Sequence, residues 1–191
     1  MRKLILFIVI GILATPMFLS AQKIALKNNL VWDATLSPNL ALEFKLSDKA
    51  TLDAYGAINP FDFGDGKRFK HWFVQPEFRW WLCESFNASF FGLHAHGGTF
   101  LLNEISMPFG LLKELKDHRY EGYFYGAGVS YGYHWILNKR WALEASVGLG
   151  YARFIYDVYD CDYCSTTKLD TRKENYFGPT KLALSLIYFI K

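Results

Sequence analysis

From Tyr123 to Trp135 the odd positions read Tyr, Tyr, Ala, Val, Tyr, Tyr, Trp, while the even positions hold Phe124, three glycines, Ser130 and His134. After Leu137-Asn138-Lys139 the habit resumes. Trp141, Leu143, Ala145, Val147, Leu149 and Tyr151 share one parity, and Ala142, Glu144, Ser146, Gly148, Gly150 and Ala152 the other. Successive side chains of a strand point to opposite faces, so a sustained two-residue period means strand. The stretch is a hairpin, with a tight turn at Leu137-Asn138-Lys139.

The same alternation predicts strands near residues 24–34, 39–47, 50–59, 70–82, 87–102, 121–136, 140–156 and 176–190, an even number. After the first connection, short turns at 47–49, 83–86 and 137–139 alternate with long polar loops at 60–69, 103–120 and 158–175. Both termini fall on the short-turn side. That asymmetry belongs to outer-membrane barrels, and a tilted strand needs about 9 to 11 residues to cross a bilayer. The expected fold is all-β, an eight-stranded antiparallel transmembrane β-barrel. A chain that is 51% hydrophobic and 18% aromatic also needs somewhere to place that surface. Trp32, Trp72, Trp80, Trp81, Tyr123, Trp135, Trp141 and Tyr188 lie near strand ends, where interfacial girdles sit. The competing arrangement is a secreted soluble barrel or sandwich, its apolar face turned inward.

Residues 1–21 hold Arg2 and Lys3, an apolar run from Leu4 to Leu13, then Pro16 and small residues before Ala21. They read as a signal peptide, leaving 22–191 as a single barrel domain. Removing them takes two of the 21 basic residues and no acid, so 19 face 18 acids, a net +1. Such balance offers no footprint for nucleic acid, and no cofactor is expected.

If the apolar parity meets lipid, the other lines the interior: Lys27, Asn29, Glu43, Lys45, Asp53, Tyr55, Gln75, Glu77, Arg79, His94, His96, Ser130, His134, Glu144 and Lys181. Pro76 lacks an N–H and is expected at a bulge. The interior charges comprise four acids and four bases, which predicts cross-linked ion pairs. Eight strands enclose only enough room for side chains, so the set reads as a polar plug and a general porin is not expected. A sharper alternative starts from His94 and His96 on one strand face. With His134 or Glu144 they would hold zinc, or with Glu144 and Ser130 they would form a base and nucleophile. His71 and His118 lie at or in long loops and are expected to be solvated. Cys161-Asp-Tyr-Cys164 reads first as a disulfide clamp on an outward loop and second as part of a zinc site, with Cys83 left over.

The stretches NLVWDATLSPNLALEF, VQPEFRWWLCESFNASFFGLHAHGGTF, SYGYHWILNKRWALEASVGLGYARF and YFGPTKLALSLIYFIK resemble a family of uncharacterised small outer-membrane proteins of Bacteroidota. The resemblance covers nearly all of 22–191. It implies an eight-stranded barrel, often encoded beside fimbrillin-type surface-fibre genes, and supplies no catalytic residues. The function expected is that of an outer-membrane barrel with a structural or interaction role, in contact with membrane lipid and, through its long loops, with surface or fimbrial proteins. The alternative is a lipid- or envelope-modifying enzyme using the interior histidines.

Overall fold

A computed structural model describes residues 24–61, 68–103, 118–160 and 168–190. Eight strands follow in chain order: β1 (Ile24–Asn29), β2 (Asn39–Ser47), β3 (Ala50–Asn59), β4 (Arg68–Trp81), β5 (Ala88–Asn103), β6 (His118–Ile136), β7 (Trp141–Asp160) and β8 (Lys168–Ile190). Each pairs antiparallel with its neighbours, and β1 pairs with β8 from Ile24↔Ile190 to Asn29↔Ser185, so the sheet closes on itself. Closure gives every strand a neighbour on each side, although β8 ahead of Ser185 is paired on its β7 side alone. The short turns β2–β3, β4–β5 and β6–β7 and the β1–β8 pairing of the chain ends lie at one end of this ring.

The ends of several elements differ from the periodicity. The first strand stops at Asn29, whose side chain accepts a hydrogen bond from Val31 N at 3.1 Å and caps one helical turn, α1 (Leu30–Asp33). That turn carries Trp32 away from the outward position expected of it and packs its ring 4.9 Å from Phe73 inside the mouth. In the other direction, β7 and β8 continue to Asp160 and from Lys168, through much of what reads as polar loop. Lys168–Phe177 is exposed throughout, so no face of it is apolar enough to betray a strand; its ladder to β7 holds it extended. Cys161 and Cys164 lie outside the described residues, and Cys83 is an exposed free thiol.

Pro76 is not at a bulge. It faces Ala54 in unbroken β3–β4 register, and on the β5 side the ladder skips Gln75 and Pro76, then resumes unchanged. An outward Pro at a position without a ladder bond costs no register shift. The shift that matters lies in β8, where Gly148 faces Lys181 and Leu149 faces Pro179, leaving Thr180 as the extra residue.

Two further shifts fall near strand ends, at Lys45/Ser47 and Val158/Tyr159, and elsewhere parity holds. Leu42, Leu52, Phe78, Leu93, Val129, Leu149 and Leu182 all point outward and are exposed, Leu93 by 62% and Val129 by 61%. Trp81, expected among the outer aromatics, is fully buried on the opposite parity. Inside the turn end it packs with Phe86, Phe90, Ala25, Ala142 and Ile187. Phe86 reaches this cluster from the β4–β5 turn with a backbone φ of 65°, and its ring meets Phe189 edge-on at 5.3 Å. The strain of a left-handed phenylalanine is offset by complete burial of its ring at the base of the barrel.

Candidate functional site

The interior stacks in three layers, which the inward residues of β4 pass through in turn: His71 and Phe73, then Gln75, Glu77 and Arg79, then Trp81. The middle layer begins as an electrostatic problem. Register places Glu43, Asp53 and Glu77 side by side on β2, β3 and β4, and like charges directly opposite one another destabilise a sheet. Two residues along β4, Arg79 resolves it. Its Nε donates to Glu77 Oε1 at 2.7 Å, Nη1 to Glu43 Oε2 at 2.9 Å and Glu144 Oε2 at 2.8 Å, and Nη2 to Asp53 Oδ2 at 2.8 Å and Glu144 Oε1 at 3.1 Å. A planar fork of five donors suits this task, and the guanidinium also lies 4.4 Å from the Phe90 ring centroid.

Two lysines complete the layer. Lys27 Nζ donates to Glu43 at 2.9 Å and Glu144 at 2.7 Å, and Lys181 Nζ to Glu77 Oε2 at 2.7 Å. Thr51 donates to Glu43 Oε1 and accepts from Trp81 Nε1 at 2.9 Å, joining the ion layer to the aromatic base. Lys45 departs from the expected set: at the end of β2 it donates to Asp48 Oδ1 at 2.8 Å and holds that turn carboxyl below its ordinary range. The interior layer thus has four acids and three bases.

Room for these side chains comes from glycine. A Cβ on Gly92 would stand 2.7 Å from the Glu77 carboxyl carbon, and one on Gly128 would stand 2.8 Å from His94 Nε2. Each glycine stands beside a large inward residue of the adjacent strand, Gly92 opposite Arg79 and Gly128 opposite His94.

The histidines separate. His94 Nε2 is 2.9 Å from Thr180 Oγ1, its Nδ1 is 3.6 Å from Glu77 Oε2, and its ring centroid is 5.6 Å from that of His96. His134 belongs to the base, stacked on Phe189 at 5.9 Å and beside Trp81. Ser130 donates to Glu77 Oε2 at 3.0 Å, with no hydrogen bond to a histidine among the described residues. No group of three or more His, Cys, Asp or Glu stands ready for a metal among them either. His71, expected in solvent, is buried between Trp32 and Phe69, because it shares the inward parity of Phe73 and Gln75; the side chain of His118 lies outside the described residues.

The third layer is a cavity of about 1300 Å³ in the half of the barrel near the long connections. Trp32, Phe73, Phe100, Phe124, Phe154 and Tyr156 form its walls, and Lys27, Asp53, Arg79, Glu144 and Lys181 its floor. Sequence parity held a signal for it: Phe73, Phe100, Phe124 and Phe154 all fall on the polar face, where a fully packed ionic plug leaves no place for them. Gln75 and Tyr55 also border this space, and the Gln75 amide donates to the Thr180 carbonyl turned inward by the β8 bulge, at 3.3 Å.

No curated protein matches the sequence. A family model described as a protein of unknown function (DUF3575) matches residues 5–190, which include all eight strands and every residue of the three layers. The chain belongs to the DUF3575 family.

Proposed function

We propose that the protein is an integral outer-membrane barrel, exported by a leader over residues 1–21, whose pinned interior makes it a rigid platform for its outward loops. One observation carries this reading: β2 to β8 all expose large apolar side chains, while four carboxylates, Lys27 and Arg79 are buried inside and Lys181 nearly so. That inverts a water-soluble protein, whose charged groups face water and whose exposed apolar patches are small. Lipid is the solvent that makes such an exterior favourable. The outward Trp72, Trp80, Tyr123, Trp135, Trp141 and Tyr188 support it, since they stand where the two interfaces would fall. From Tyr123 to Trp135, β6 covers roughly 40 Å at about 3.3 Å per residue, enough to span a bilayer core when tilted.

An ion layer above an aromatic base favours a structural and docking role over transport. The role in surface-fibre assembly or anchoring, and a source among Bacteroidota, rest on the sequence resemblance. Residues 104–117 join β5 to β6 and mix charges with apolar residues, as protein contact surfaces do. Exchanging them for a Gly-Ser segment of equal length is expected to leave the amount of inserted barrel unchanged and to lower fibre antigen on intact cells several-fold. Undiminished fibre display with the exchanged loop would remove the fibre role.

A further inference from the structure

We propose that the cavity above the ion layer binds a cationic amphiphile, an amine carrying an apolar, ring-stacking body. The inference depends on the cavity and not on which solvent surrounds the barrel.

Volume comes first. Small-molecule pockets run to roughly 300–1000 Å³, and 1300 Å³ is room for a body of several rings or a folded chain. The walls specify that body. Phe124 and Phe154 stack at 5.5 Å and 26°, Phe100 approaches both at 6.5 and 6.0 Å, and Phe73 lies 6.4 Å from Phe124. These rings form a continuous aromatic surface on the inward parity of β4 to β7. Aromatic faces attract apolar rings, and attract a cation passing over them.

The floor specifies the head. Of the eight carboxylate oxygens in the ion layer, seven are taken. Glu43 uses Thr51, Lys27 and Arg79; Glu77 uses Arg79, Ser130 and Lys181; Glu144 uses Arg79 and Lys27; and Asp53 Oδ2 uses Arg79, with Lys27 at 3.6 Å. Asp53 Oδ1 has no hydrogen-bond partner among the described residues, although Asp53 is only 3% exposed and borders the cavity. The count of charge agrees with the count of bonds. Four carboxylates face Lys27, Arg79 and Lys181, which leaves one acid without a cation of its own, and the unfilled acceptor belongs to Asp53, a residue that lines the void. An ammonium there supplies the missing charge and the missing donor together. An anion would meet a floor already short of cations.

The test uses matched probes on the full chain: 1-naphthylmethylamine, cationic at neutral pH, and 1-naphthylacetate, with the same ring body and the opposite charge. Binding is measured by calorimetry with the barrel in phosphatidylcholine nanodiscs against empty nanodiscs, or in plain buffer if the protein is water-soluble. Failure to insert and failure to bind are therefore read separately. The amine is expected to bind at least about tenfold tighter than the acetate, the worth of one charge-assisted hydrogen bond. Asp53→Asn, which keeps the acceptor facing Arg79, is expected to erase that preference. Should the variant not fold, Phe124→Ala carries the test: it is expected to weaken the amine at least fivefold and to keep its advantage over the acetate. Equal affinity for the two probes, tighter acetate, no binding of either, or an amine affinity untouched by Phe124→Ala would each overturn the proposal.

Discussion

Arg79→Ala is expected to lower the unfolding free energy of the barrel by about 3–5 kcal/mol, the cost of removing one partner from a buried ionic cluster. The size follows from what remains. Four buried carboxylates would face only Lys27 and Lys181, and Asp53 Oδ2 would keep only a 3.6 Å approach to Lys27. Arg79→Lys restores the charge without the fork, so it is expected to fall between Ala and the parent. Equilibrium unfolding in urea, followed by tryptophan fluorescence, checks both. Trp81 is a built-in reporter, since its indole N–H reaches the ion layer through Thr51 and Glu43. A loss below about 0.5 kcal/mol for Arg79→Ala, the size of an ordinary surface change, would mean that the cluster does not hold the barrel together.

Val129→Arg tests the other face. Val129 is 61% exposed, stands midway along β6 between Tyr123 and Trp135, and is flanked in register by Leu93 and Leu149. On a water-facing sheet an arginine there would change stability by a few tenths of a kcal/mol. On a lipid-facing barrel near the midplane it is expected to cost about 2–4 kcal/mol. The same substitution at Lys173, in the exposed extension of β8, is expected to be neutral in either solvent. Unfolding in lipid vesicles gives the comparison, and equal stabilities for the Val129 variant and the parent would argue against lipid contact at Val129.

Alternation alone made the strand count, the antiparallel order and the inward parity legible, because each strand has two chemically different faces. It failed where that contrast disappears or where another force intervenes. Lys168–Asn175 is polar on both faces but for Leu169 and reads as loop. Phe86 lies in a turn, where no periodicity says that a ring will fold back under the barrel. Trp32 and Trp81 look like girdle residues because composition near a strand end does not reveal parity shifted by a cap or by the depth of burial. The members of the ion layer could be named from parity, but not its wiring. That Lys45 would turn to Asp48, leaving an acid in excess, depends on a side chain at a strand end choosing the nearer partner. The Thr180 bulge was illegible for a related reason: Pro76 looked the better candidate, yet its missing N–H fell in a gap of the ladder.

Lipid contact of the apolar exterior is tested most directly by fractionating envelopes and running the outer-membrane material, unboiled and boiled, on a denaturing gel. A closed barrel in lipid is expected in the outer-membrane fraction, with an unboiled band that migrates apart from the boiled one and converts to it on heating. Recovery in the soluble fraction, with one mobility before and after heating, would show that water meets the apolar exterior and that the membrane assignment is wrong.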